Sequence, residues 1–102
     1  MSSDDRPLLV FFTSRRSGPA RRMESLLAHI ARKERSRLRV GKVDVDERPE
    51  LAERFEVVQV PALALVVDKH VVCRLDGRAT APRIEAMLEP HLEGEPAAAL
   101  AL

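Results

Sequence analysis

The chain has 102 residues, 45% of them apolar, which is enough to bury one hydrophobic core and too little for two. Its 17 basic and 16 acidic side chains leave a net charge of +1, so any electrostatic preference has to come from a local patch and not from the whole surface. Three Phe with no Trp or Tyr leave out the stacking platforms of single-stranded nucleic-acid binders, so nucleic acid is not an expected partner.

Cys73 is the only cysteine, which excludes a disulfide within the chain and a cysteine zinc cluster, and fits a reducing compartment. His29, His70 and His91 are far apart and lack an i,i+4 spacing, so they read as surface histidines and neither a metal nor a cofactor is expected. The first residues are polar and acidic where a secretory signal would be basic and then apolar. No apolar run approaches about 18 residues. The expectation is a cytoplasmic protein with no membrane association, organised as one domain over residues 1–92 with a flexible tail over 93–102, where Pro96 interrupts an Ala/Leu stretch that has no partner pattern.

Residues 7–13 (Pro-Leu-Leu-Val-Phe-Phe-Thr) form a continuous apolar run, as in a central strand buried on both faces. Ser17 then offers a hydroxyl N-cap and Pro19 suits the first turn. Met23, Leu26, Leu27 and Ile30 fall at helical spacing, so the pattern predicts a helix to about residue 35 with His29 in solvent. Residues 39–45 read as a second strand, parallel to the first through that helix, and 49–55 as a helix of one to two turns. After Pro61, residues 62–67 and 71–75 read as a hairpin across Asp68, Lys69 and His70, closed by Asp76 and Gly77. Residues 80–92 predict a last helix, capped by Thr80, with Pro82 in its first turn and Ile84, Met87, Leu88 and Leu92 on one face.

This order, β-α-β-α-β-β-α, carries three residue sets of note. Phe11, Phe12 and Thr13 precede Ser17, Gly18, Pro19 and Ala20 at the first strand-to-helix junction. Val43, Asp44, Val45 and Asp46 precede Pro49, Glu50, Leu51, Ala52 and Phe55. Val60 and Pro61 lie before Ala62 and Leu63, with Gly77 behind them. Over about residues 7–92 the chain resembles the thioredoxin-like superfamily. The resemblance implies an α/β thioredoxin-like fold with a four-stranded mixed sheet flanked by helices. It also implies that Val60-Pro61 is the cis-proline facing the Ser17 to Ala20 motif across a substrate groove.

The resemblance breaks where the chemistry would be. Ser17 and Ala20 stand where a thioredoxin carries the two cysteines of Cys-Gly-Pro-Cys, and Phe11 stands where thioredoxins bury an acid that handles the resolving thiol's proton. Disulfide exchange needs an attacking thiolate and a resolving thiol, so no oxidoreductase activity is expected. A helix N-terminus brings a thiol from about 8.5 into the range of roughly 3.5–7.5, but a serine hydroxyl is too weak an acid to ionise by such help and needs a base. Thioredoxins also place a strand and a helix before the motif-bearing strand, which the six residues here cannot supply. The minimal, glutaredoxin-like arrangement follows, and the strand at 39–45 becomes a sheet edge partly blunted by Arg39, Gly41 and Lys42. Lys42 matches a lysine that thioredoxins keep near the buried acid, and with Phe11 there its head group is expected to reach water.

What remains is a cluster of Arg15, Arg16, Arg21 and Arg22 around the Ser17 to Ala20 loop, expected to converge with free N–H groups of the helix beside Pro61. One reading is a solvated rim. The other is a docking site for a carboxylate, a phosphate or an acidic segment. Three functions follow. The first is a redox-inactive binding or adaptor module that holds an extended or acidic peptide of a protein partner through Arg15, Arg16, Ser17, Gly18, Pro19, Arg21, Arg22, Val60 and Pro61, with no catalytic residue. The second is an enzyme holding a glutathione-type thiol at Ser17. The third, weakest, is phosphate-backbone binding through the arginines. Oligomerisation is expected to be absent or limited to a weak homodimer through the exposed edge strand. Cys73 is expected to be a half-buried, inert thiol on the same alternating face as Val71 and Leu75.

Overall fold

The computed structural model describes residues 5–93. Its first strand, β1 (Leu8–Thr13), is buried along nearly its whole length because it is hydrogen-bonded on both edges and covered on both faces. Helix α1 (Gly18–Lys33) carries the chain back to β2 (Arg39–Asp44), which pairs with β1 in parallel from Leu8↔Arg39 to Thr13↔Asp44. A short helix α2 (Pro49–Arg54) follows. Then β3 (Ala62–Val67) pairs antiparallel with the other edge of β1, and β4 (His70–Asp76) with the outer edge of β3. Helix α3 (Ala81–Leu88) and a 3-10 turn at Glu89–His91 close the described chain. The strands stand in the order β2-β1-β3-β4, and the sheet is the four-stranded mixed one that the resemblance implies.

Alternation along β1 divides the core in two. Leu9 and Phe11 face α1 and α3, packing with Met23, Leu27, Ile30, Leu63, Ile84 and Leu88 among others. Val10 and Phe12 face the α2 side with Ala62 and Ala64, where the Phe12 and Phe55 rings lie 5.3 Å apart in a tilted contact. Such aromatic pairs add about 0.5–1.5 kcal/mol beyond the area they bury. Phe11 is 1% exposed, so its position belongs to an apolar interior with no room for an unpaired acid.

Four local expectations change. The first helix ends at Lys33, where Glu34 takes over as C-cap. The hairpin turns on Asp68 and Lys69 alone, both at positive φ (51° and 70°), as the tight two-residue hairpin turns require, so His70 already pairs with Val67. The last α-helix stops at Leu88 because Pro90 has no N–H for the carbonyl four residues back, and the chain tightens into the 3-10 turn. A bulge at Val72 shifts register, pairing Leu65 with Cys73 but Val66 with Val71. Cys73 and Leu75 therefore face the α1/α3 core while Val71 turns to the face of Val66 and Phe55, against the simple alternation expected. The two caps do form: Ser17 Oγ accepts the Ala20 N–H at 3.1 Å and Thr80 Oγ1 the Arg83 N–H at 3.4 Å. The tail beyond Glu93 lies outside the described residues.

A buried ion pair joins the α1–β2 connection to the 3-10 turn after α3. Arg37, 6% exposed, donates from Nε to Glu34 Oε1 at 2.7 Å and from its terminal nitrogens to Glu89 at 3.1 and 3.2 Å. Glu34 is buried beside it, whereas Glu89 is largely exposed. Arg37→Ala leaves the Glu34 carboxylate buried without this partner, and urea denaturation is expected to show a loss of about 3–5 kcal/mol. Glu89→Ala, at the solvated end, is expected to cost under about 1 kcal/mol. A loss under about 1 kcal/mol for Arg37→Ala as well would show that the buried pair does not support the fold.

Candidate functional site

Because β3 runs antiparallel to β1 with Phe12 opposite Ala62, the chain just before β3 and the loop just after β1 meet at one end of the sheet. That end gathers loop 14–17, the start of α1, and residues 58–61. The Val60–Pro61 peptide is cis, Pro61 is buried, and the Pro61 carbonyl accepts the Gly77 N–H at 2.8 Å. Gly77 has φ 86°, the left-handed region that glycine enters without a side-chain clash. The stretch ahead of Pro61 is open: Val58 is 89% exposed and Val60 half-buried. Among the described residues the backbone N–H and C=O groups of 58–60 have no hydrogen-bond partner.

Ser17 is the helix cap. Its hydroxyl accepts from Ala20 N–H, and its carbonyl accepts from Arg21 N–H at 3.0 Å. Pro19 has no N–H to offer, so Gly18 keeps the one first-turn donor without a partner among the described residues. This is less free N–H character than the sequence suggests for an anion site, since the cap satisfies its own helix.

The four arginines do not gather at one point, although Arg15 and Arg21 line the same small cavity. Arg15 reaches Glu47 at 3.4 Å and Arg16 reaches Asp46 at 2.7 Å, both acids belonging to the turn between β2 and α2. Arg22 lies back over the start of α1, its Nη1 3.2 Å from where a Gly18 Cβ would stand. Arg21 lines a small cavity on the β2 side of α1 and has no partner among the described residues. They do not form one convergent cluster.

Sequence reasoning passed over Ser14, Asp46 and Glu47, the groups that hold this loop. Ser14 is buried. Its hydroxyl donates to Asp46 Oδ2 at 2.5 Å and accepts from the Arg16 N–H at 3.2 Å. The only signal for Asp46 and Glu47 is their place ahead of a helix, which suggests a cap and not a tie to a loop 30 residues away in sequence. The carboxylate nearest the motif in this network is thus committed to Ser14 and Arg16, while the Ser17 hydroxyl's one hydrogen bond among the described residues is the cap. Among the described residues no nucleophile–base pair is assembled at Ser17.

Elsewhere, Lys42 sits opposite Phe11 in the parallel ladder with its head group in solvent, 3.8 Å from Glu24. Cys73 is half-buried, and burial pushes its thiol up, away from the reactive thiolate. Among the described residues no set of three or more His, Cys, Asp or Glu side chains is placed to hold a metal ion, and no helix is long and apolar enough to cross a membrane.

A β2-β1-β3-β4 mixed sheet with the motif loop at the β1–α1 junction and a proline leading into β3 defines a protein of the thioredoxin-like class. The family model described as Thioredoxin matches residues 1–90, and the chain belongs to that family. It is 39% identical over 75 residues to thioredoxin of Mycobacterium tuberculosis, covering 74% of this chain and 65% of that one, so it spans just under two thirds of the mycobacterial protein. It is 33% identical over 89 residues to thioredoxin of Alicyclobacillus acidocaldarius, covering 87% and 85%. Among solved structures, a mutant thioredoxin from Halobacterium salinarum superposes with a TM-score of 0.82 at 29% identity, covering 92% of this chain and 81% of that chain. This chain has a single cysteine, at position 73, so it is a member of the family without the paired motif cysteines.

The hydrogen bond from Arg16 first, and that from Ser14 second, hold the Asp46 carboxyl below the ordinary carboxylate range. A carboxyl depressed in the folded state contributes stability above its unfolded value of about 3.9 and loses it as pH falls through the folded value. Titration of Asp46 by carboxyl NMR is therefore expected to give a midpoint below that of exposed acids. Arg16→Gln should raise it and Ser14→Ala should raise it less. An ordinary midpoint in the unmodified protein would show that the loop tie is not maintained in solution.

Proposed function

We propose that this protein is a redox-inactive thioredoxin-fold binding module, which holds an extended segment of a protein partner alongside Val58, Gln59, Val60 and Pro61. The observation that carries this reading is the row of free backbone groups at 58–60, at the end of the sheet where loop 14–17 also lies. An extended peptide can pair with such a row as an added strand, with affinity from main-chain hydrogen bonds and selectivity from side-chain contacts. The exposed Val58 offers one apolar contact for it. The chemistry side supports the same reading: Ser17 and Ala20 supply no sulfur, and Phe11 fills the buried position with an apolar ring. Cys73 is alone and faces the core. The glutathione-type alternative would ask the Ser17 hydroxyl to serve a bound thiolate while it caps α1, and it needs no peptide.

Insulin reduction with dithiothreitol is expected to run at the rate seen without protein. The Ser17→Cys/Ala20→Cys double variant should stay far below a thioredoxin, because Phe11 provides no proton acceptor. Turnover by the unmodified chain that survives Cys73→Ser would overturn the redox-inactive assignment. For binding, peptides selected from a random library are expected to shift the amide resonances of 58–60. Val58→Glu should weaken them about tenfold, by placing a charge in an apolar contact. Its stability should stay within about 0.5 kcal/mol, as for other exposed sites. Selected peptides that leave 58–60 unmoved, or glutathione binding with no peptide selected, would reject the module reading.

A further inference from the structure

A second row of outward-facing backbone lies along β2, an outer edge of the sheet. In β2 the Arg39 N–H bonds to the Pro7 carbonyl, and the Val45 N–H to that of Thr13, so the odd-numbered residues direct their backbone groups at β1. By strand alternation Val40, Lys42 and Asp44 direct theirs outward; no described residue meets their N–H groups, and of their carbonyls that of Asp44 accepts the Glu47 and Arg48 N–H groups of the following turn. The other edge of the sheet, β4, is interrupted by the bulge at Val72, a device that discourages strand addition. β2 has no such bulge.

Beside this edge, on the α1 face, two cavities follow one another and share Glu24 and Lys42. One, of about 240 Å³, is lined mainly by Phe11, Leu27, Ala28, Ala31 and Val40 and is apolar. The next, of about 190 Å³, is lined by Thr13, Arg21 and Asp44 among other charged groups. Thr13 is 3% exposed and its hydroxyl has no hydrogen-bond partner, which is costly for a buried polar group. Of the cations at this cavity, Arg15 is paired with Glu47 and Lys42 lies near Glu24, whereas Arg21 has no partner among the described residues. An unmatched guanidinium with an unsatisfied hydroxyl on the same cavity suits one carboxylate. The rim acids Glu24, Asp44 and Glu47 weigh against a phosphate dianion.

We infer that the β2 edge is a second docking site, which takes an extended segment of a protein partner as an added strand, with an apolar side chain over Phe11 and Val40 and an acidic one, two residues along, at Thr13 and Arg21. The spacing follows from geometry. Residues two apart on an added strand face the same side of the sheet, about 6.8 Å apart, as do Val40, Lys42 and Asp44 beneath them. Acid at one end and apolar at the other leave the strand's direction to be read from which order binds.

The test is an NMR titration of the full chain with two probes, acetyl-Thr-Ile-Thr-Glu-Thr-amide and its reversed sequence, each also made with Gln for Glu. One of the two is expected to shift the amides of Val40, Lys42 and Asp44 and leave 58–60 unmoved, which separates this site from the Pro61 groove. Gln for Glu should weaken it about tenfold, the scale of losing a charge-assisted hydrogen bond. Arg21→Gln is expected to do the same. Thr13→Val keeps the side-chain shape and removes the unsatisfied hydroxyl, so it should weaken the Glu probe without lowering the melting temperature. Probes that move none of these three β2 amides, or that bind Thr13→Val and Arg21→Gln as well as the unmodified chain, would overturn the inference. Concentration-dependent shifts at the same amides without peptide would also overturn it, by assigning the edge to a second copy of the chain.

Discussion

Strand β1 is hydrogen-bonded along both edges and packed on both faces, and the remaining elements take their positions from it. Its alternation sends Leu9 and Phe11 to the helices α1 and α3 and sends Val10 and Phe12 to the α2 side. Two apolar surfaces are thus covered by one six-residue strand, which is the economy that lets so short a chain hold a sheet with helices on both faces. The same strand determines where function can lie. It ends at Thr13, and everything that follows directly, Ser14, the Arg15 and Arg16 pair and the Ser17 cap, is placed at the open end of the sheet with Pro61 just ahead of the neighbouring strand.

Phe11 shows how closely chemistry and stability are opposed in this member of the family. A buried acid at that position would have to lie among Leu9, Met23, Leu27 and Leu63 and would hold its proton strongly unless partnered. A phenyl ring there is favourable by burial alone, on the order of 1.5–3 kcal/mol. With no thiol at Ser17 or Ala20 to serve, the acid has no task and the ring fits the core around it. Lys42, which the family resemblance would set near that acid, accordingly leaves the core and stays in solvent near Glu24.

The fold was legible in the sequence because its signals are local. A continuous apolar run marked β1, helical spacing marked α1 and α3, and the hydroxyls of Ser17 and Thr80 marked where those helices begin. The errors came where one residue's position depends on a distant partner. Nothing near Val72 announces a bulge, because the extra residue is absorbed only when β4 pairs with β3, and so Cys73 and Val71 part company. The site was legible in outline and not in its electrostatics. Four arginines close in sequence read as one cluster, but Arg15 and Arg16 follow the nearest carboxylates, Glu47 and Asp46, which arrive from the β2–α2 turn. The Glu34–Arg37–Glu89 set was missed for the same reason, since the third member comes from the turn after α3, 52 residues on from Arg37.

The pairing of charges also changes what an arginine-rich loop can do. A guanidinium already bonded to a carboxylate offers a ligand only the difference between two similar interactions, which in solvent is small. Arg15 and Arg16 therefore act first as ties that fix the loop against the β2–α2 turn, with Ser14 and Asp46 completing the link. A loop held in this way presents its backbone in a fixed place, and so does the stretch before Pro61, anchored through the Gly77 N–H. Pre-placed backbone spares a partner part of the ordering cost of association, the term that most often limits binding by exposed surfaces. Removal of the thiols need not remove this property, because none of the groups that set the loop and the proline stretch in place is a redox group.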